Sequence, residues 1–238
     1  MKLRNLLLAA AAVLGLSACT ESTNEYHSTY FYPITASGVE TFADQQMDSV
    51  RVMSYDTWTL NNTTDWVDMK VGTTQTNQIK VEVPTGYFNL TRLDFVLKPN
   101  TTGKTRSTVV QVTSSFGKVG AIATRLIQYP FHNITTPAAK MTEDGTNATF
   151  TLDLPQKNNR ETATSSLAFT VYTADAQLTS SADWLTVDKA NGYTPSVKDL
   201  VKVTAEPNTT GEARKAQLTL TSGGVTTVIN VNQPKASN

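Results

Sequence analysis

The chain has 238 residues with 20 basic and 20 acidic side chains, two histidines and a single cysteine. That balance offers no basic excess for a nucleic-acid partner or for electrostatic attraction to anionic lipid, and one cysteine excludes an intramolecular disulfide framework. Histidine is scarce: His27 lies in a polar stretch near the start and His132 between the two expected sandwiches, which leaves no histidine pair for zinc and argues against a Ser-His-Asp arrangement. No phosphate-binding glycine loop, dinucleotide fingerprint or EF-hand pattern occurs, so neither a cofactor nor a metal is implied.

The start has the order of a secretion signal: Lys2 and Arg4, an apolar run of eleven residues from Leu6 to Leu16, then Ser17 and Ala18 before Cys19. A helix needs roughly 20 residues to cross the hydrocarbon core, so the run reads as a cleaved signal over residues 1–18. Leu16-Ser17-Ala18-Cys19 resembles the lipobox of bacterial lipoproteins, which implies lipidation at Cys19 and a lipid anchor in the membrane. Each buried methylene contributes ~0.8 kcal/mol and one acyl chain holds only marginally, so two or three chains are what a stable anchor needs. Loss of Lys2 and Arg4 leaves 18 basic against 20 acidic side chains. Residues 19–33 are rich in Thr, Glu, Ser and Asn and read as a flexible tether after the lipidated cysteine.

The remainder is organised by an internal repeat. Pro99-Asn100-Thr101-Thr102-Gly103 recurs 108 residues later as Pro207-Asn208-Thr209-Thr210-Gly211, each with an arginine three residues on, Arg106 and Arg214. Leu93, Phe95 and Leu97 align with Val201, Val203 and Ala205, and Thr108, Val110 and Val112 with Ala216, Leu218 and Leu220. Both flanks alternate with period two, the pattern of half-buried strands joined by a turn, so each copy predicts a hairpin or a similar two-strand corner. Upstream, Asp65-Trp66-Val67 answers Asp183-Trp184-Leu185; downstream, Gln128 answers Gln233.

Further β-branched and aromatic segments, such as Val50 to Tyr55, Ile79 to Val83, Ala148 to Leu154 and Leu167 to Tyr172, are bounded by turn formers, and no useful helical periodicity follows the signal. The expected class is all-β, two tandem antiparallel sandwiches over residues 34–131 and 138–234.

The second copy, from Asp183-Trp184-Leu185-Thr186-Val187 through the Pro207 to Gly211 turn to Val231-Asn232-Gln233, resembles the BACON family, Bacteroidetes-associated carbohydrate-binding and often N-terminal. The first copy resembles it less closely, with ten more residues between tryptophan and turn. The resemblance implies immunoglobulin-like sandwiches in an envelope protein, with polysaccharide or glycoprotein glycans as partners and a plain spacer role as the alternative. The family supplies no ligand-binding motif to carry over.

Site candidates therefore rest on physical argument. Trp66 and Trp184 hold one strand position in both copies and are assigned to the cores, although an indole face also suits a pyranose ring. Trp58, Tyr87 and Phe88 are the candidates for ligand contact, since the second copy has no evident equivalent and Tyr87-Phe88 follows the Pro84-Thr85-Gly86 turn in the insertion; the competing assignment is that they cover a sandwich end or a domain interface. Tyr193 is a weaker counterpart. Arg106 and Arg214 could meet a carboxylated sugar, but long side chains at strand starts more often cover apolar surface. Asn100 and Asn208 are expected to bond their own turn backbone, and Gly103 and Gly211 to supply its positive φ.

The expected protein is a lipoprotein of the outer membrane, non-enzymatic, binding carbohydrate through two modules, with the side it faces left open. A structural subunit of a surface complex or fibre ranks second and a glycan-degrading enzyme third, since a glycosidase needs only two carboxylates. Cys19→Ala is expected to abolish membrane association, which detergent-phase partitioning measures; wild-type partitioning of the variant would overturn the anchor assignment.

Overall fold

The computed structural model describes residues 30–32, 38–62, 64–84, 87–114 and 122–237, so the signal segment and Cys19 lie outside the described residues. The first sandwich contains β1 (Tyr30–Tyr32), β2 (Val39–Thr41), β3 (Met47–Ser54), β4 (Trp58–Asn61), β5 (Val67–Val71), β6 (Thr74–Thr76), β7 (Gln78–Val81), β8 (Asn89–Leu97), β9 (Arg106–Ser114) and β10 (Ile122–Gln128). The second contains β11 (Asn133–Thr136), β12 (Lys140–Met141), β13 (Ala148–Asp153), β14 (Ala163–Thr170), β15 (Gln177–Ser180), β16 (Leu185–Val187), β17 (Lys198–Ala205), β18 (Arg214–Ser222) and β19 (Val225–Gln233).

The sheets run β1-β3-β8-β5-β6 over β2-β10-β9-β4-β7, and β11-β14-β17-β16 over β12-β13-β19-β18-β15. In each sandwich the first chain segment splits between the two sheets, and its second part pairs parallel to the last strand, β2 with β10 and β13 with β19. This is the immunoglobulin-like arrangement. Gly38 (φ 89°) opens β2: a Cβ there would stand 2.2 Å from the Arg125 carbonyl oxygen, so only glycine lets the strand lie against β10.

Alternation places the apolar half of each strand inside. Leu93, Phe95 and Leu97 of β8 and Val110 and Val112 of β9 are buried with Leu60, Met69 and Trp58; Val201, Val203, Leu218 and Leu220 are buried with Phe150, Phe169 and Leu178. The repeated Pro-Asn-Thr-Thr-Gly turn is a corner rather than a hairpin, because it carries the chain from one sheet to the other: β8 and β9 lie in different sheets, as do β17 and β18.

Two expectations about boundaries change. β1, within the segment read as tether, pairs antiparallel with β3, so that segment enters the first sandwich at Tyr30. β11 starts at Asn133, ahead of Ala138, and pairs with β14.

The sandwiches meet through a buried junction. Phe42 and Tyr129 of the first lead by ring contacts of 5.8, 5.1 and 5.5 Å through Phe131 to Phe150 in the second core. Beside them Asp44, fully buried, accepts hydrogen bonds at Oδ2 from the Tyr172 N–H (2.8 Å) and the Ser222 hydroxyl (2.8 Å). His132, also fully buried, has Nδ1 2.7 Å from Thr227 Oγ1 and Nε2 3.3 Å from the Ser222 carbonyl.

Burial pushes the His132 imidazole below the ordinary histidine range, against the opposing pull of the Asp44 carboxylate. The unfolded chain takes up a proton near pH ~6.5 while the folded junction resists it, so the stability from neutral His132 is complete above that pH and is lost as pH falls through the depressed folded value. Urea midpoints of the wild type are expected to drop as pH goes from about 7.5 to about 5.5, and those of His132→Gln to vary less. Equal slopes would mean that the imidazole exchanges its proton freely in the folded state.

Candidate functional site

The repeated residues form one device in each copy. The Arg106 guanidinium lies 4.6 Å over the Trp66 ring, donates from Nε to Gln128 Oε1 (2.9 Å) and from Nη2 to the Lys98 carbonyl (2.6 Å). Arg214 does the same: 4.1 Å over Trp184, 2.6 Å to Gln233 Oε1 and 2.8 Å to the Glu206 carbonyl. Desolvation lowers both guanidinium pKa values. These arginines are occupied by cation–π and backbone contacts and are not the partners of a sugar carboxylate. Trp66 is 7% exposed and Trp184 is half-buried against the second core, as their shared position predicts. Asn100 donates to the Lys104 and Gln128 carbonyls (2.9 and 3.0 Å) and accepts from the Thr102 N–H and hydroxyl; Asn208 repeats this with Glu212, Pro234 and Thr210. Gly103 and Gly211 have φ of 71° and 80°, the positive values that the turn requires.

Trp58 is not a ligand contact. It is fully buried in β4, paired with Val81 on one side and Ser114 on the other, and its Nε1 has no partner among the described residues. The signal was present in the sequence: Trp66 and Trp184 are 118 residues apart, and at that offset Trp58 and Leu60 fall on Ala176 and Leu178, both buried. The turn offset of 108 hides this, because the insertion lies between. Tyr193 is likewise a core residue, 4% exposed, ring to ring with Phe169 at 5.0 Å and donating to the Lys189 carbonyl (2.5 Å).

Tyr87 and Phe88 are 69% and 54% exposed, more than any other described aromatic side chain. Phe88 meets Tyr55 with centroids 5.5 Å apart. Phe88 and Tyr55 stand at one end of the outer face of β3 and β8, whose inner face carries Val50, Val52, Leu93 and Phe95. Register then fixes the rest of that face as a ladder: Met53 opposite Leu90, Arg51 opposite Arg92, Ser49 opposite Asp94, with Lys70 of β5 on the far side of Asp94. Sequence reading missed this set because it spans three strands and no local motif joins them.

The ladder ends at the junction in a groove of about 360 Å³, where Met47, Asp48, Ser49 and Arg92 face Tyr172 and Ser196 of the second sandwich. Burial raises the Asp48 pKa, against hydrogen bonds from the Ser49 N–H and the Gln45 amide that lower it. Ser196, at φ 63°, is the one described non-glycine residue with positive φ. From Tyr55 to Met47 is eight residues, roughly 27 Å of extended strand. A second, more open polar groove of about 590 Å³ lies on the outer face of β18 and β19, lined by Lys215, Gln217, Asn230 and Asn232.

Fold and face together define a tandem immunoglobulin-like β-sandwich protein. Residues 173–234 match the family model BACON, described as "Putative binding domain, N-terminal", so the second sandwich carries a BACON domain. The first sandwich shares the tryptophan–arginine–glutamine device and lies outside the matched residues. No curated protein sequence matches the chain significantly. Among solved structures, a Bacteroides ovatus GH5 xyloglucanase in complex with a XXXG heptasaccharide is 21% identical over 42% of this chain, at a TM-score of 0.32. The endo-fucoidan hydrolase MfFcnA4 from glycoside hydrolase family 107 is 10% identical over 88% (TM-score 0.29), and the titin fragment A168169 is 11% identical over 88% (TM-score 0.30). The chain spans 19% of the xyloglucanase and 29% of the fucoidan hydrolase, and 99% of the titin fragment.

Trp58→Ala is expected to cost about 3 to 5 kcal/mol through the cavity it leaves, whereas Trp58→Phe keeps most of the ring, removes the unpaired N–H and should cost much less. Urea unfolding checks this; an alanine variant with an unchanged midpoint would return Trp58 to the exposed set.

Proposed function

We propose that the chain is a lipid-anchored, non-catalytic carbohydrate-binding protein of the outer membrane, which captures polysaccharide or glycoprotein glycans along the outer face of its first sandwich. The observation that carries this reading is the exposed Phe88 ring set against Tyr55, next in sequence to the exposed Tyr87. An aromatic face left in water is costly unless it meets a partner, and a pyranose ring offers axial C–H groups to stack on it. The BACON match in the second sandwich supports the same class of ligand.

One stacked ring contributes on the order of 1 kcal/mol, so a site built from two or three has millimolar to high-micromolar affinity. Many anchored copies on one membrane raise the apparent affinity for a polymer well above that. Cys19 would supply the anchor that makes such display possible.

A second reading, a rigid spacer, is favoured by the buried Asp44–Ser222 and His132–Thr227 contacts, which tie the sandwiches together. Affinity electrophoresis of the mature chain carrying Cys19→Ala separates the two. Tyr87→Ala combined with Phe88→Ala is expected to weaken retardation by polysaccharide while the unfolding temperature stays unchanged, because both side chains are exposed. No retardation of the parent chain in any polysaccharide gel would leave the spacer reading.

A further inference from the structure

We propose that the first sandwich recognises an anionic polysaccharide, its carboxylate or sulfate groups seated on Arg51 and Arg92 while a sugar face lies on Tyr55 and Phe88. This rests on the carbohydrate reading above and names the class of glycan.

The first argument is electrostatic. Arg51 and Arg92 stand directly opposite each other across β3 and β8 on the outer face, both exposed. Like charges in that position destabilise a sheet, and the cost falls when an anion lies between them. Asp94 engages Arg92 only through Nε, at 2.6 Å, and has Lys70 opposite it on β5. Among the described residues no carboxylate forms an ion pair with Arg51. On this face three cations, Arg51, Arg92 and Lys70, stand with two carboxylates, Asp94 and Asp68, and Asp68 lies at the far end opposite Val96, so the arginine rung keeps a local positive excess in a chain whose total charge is balanced. The terminal nitrogens of a guanidinium form a planar fork that matches the oxygens of a carboxylate or sulfate, which a lone ammonium does not.

The second argument is spatial. The aromatic rung and the arginine rung are four residues apart along β3, roughly 14 Å, with the Met53–Leu90 rung between them. A single sugar cannot occupy both ends, whereas one polymer chain lying along the strands can. Beyond the arginines the track runs into the concave junction groove lined by Ser49, Tyr172 and Ser196, which a flat bilayer surface could not enter. That concavity favours a polysaccharide over anionic lipid headgroups as the source of the negative charge.

The test is affinity electrophoresis of the mature chain carrying Cys19→Ala in gels of polygalacturonate, chondroitin sulfate or a neutral glucan, with cosedimentation on phosphatidylglycerol vesicles. Retention by at least one acidic polymer is expected to exceed that by the neutral one roughly tenfold and to fall with salt. The two acidic gels distinguish carboxylate from sulfate. Arg51→Gln combined with Arg92→Gln should remove the acidic advantage, leave neutral retention intact and leave the unfolding temperature unchanged or raised. Equal retention by neutral and acidic polymers, insensitive to that double variant, overturns the anionic inference while the carbohydrate reading stands. Sedimentation with vesicles without retention by any polysaccharide overturns it in favour of a membrane-facing surface, and no interaction with either overturns both readings.

Discussion

A chain that leaves one sheet of a sandwich and enters the other must bury backbone groups that no ladder satisfies, and in this protein a single asparagine amide meets that need at each crossing. Asn100 and Asn208 each donate to a carbonyl of their own turn and to a carbonyl at the end of the last strand pair, and each accepts from the threonine two residues on. The arginine six residues after the asparagine then reaches back across the turn, covers the tryptophan and meets the final glutamine. Four residues far apart in sequence thereby hold the corner, the strand before it, the strand after it and the last strand at one register. A slip of one residue would turn Val110 and Val112, or Leu218 and Leu220, out to solvent, so both cores depend on these corners.

On this shared frame the two sandwiches differ where the first has ten more residues, between β5 and β8. The added chain forms β6 and β7, which extend both sheets, and returns at Tyr87 and Phe88 just before β8. Because side chains alternate along β8, Phe88 shares the outer face with Leu90 and Arg92, and β3 brings Tyr55, Met53 and Arg51 alongside. An insertion that is unremarkable as sequence becomes one end of a continuous face.

The junction makes that face longer than one sandwich. Asp44 and His132 are both fully buried and both bonded to the β18–β19 end of the second sandwich, so the groove between the domains has walls of defined position. The two proposed roles, capture of a polymer and the spacing of modules, are compatible with such an arrangement, since an extended track suits many copies acting on one long ligand.

The sequence by itself determined the strand class, the tandem repeat, the turn chemistry of Asn100, Asn208, Gly103 and Gly211, and the core placement of Trp66 and Trp184, because each depends on neighbours within a few residues or on comparing two copies at one offset. It misled at Trp58, where lack of an aligned counterpart was taken for exposure although the other copy fills that core position with Ala176, and at Tyr193, offered as a weaker counterpart of the Tyr87-Phe88 pair and in fact buried in the second core. Only the tertiary structure decided that Arg106 and Arg214 are spent on their tryptophans, and that Arg51 and Arg92 are the pair left facing outward. The reason is physical: which face a side chain presents follows from alternation along one strand, but which charges stand opposite each other follows from pairing between strands 41 residues apart, and that register is set by the buried corners and cores rather than by any local motif.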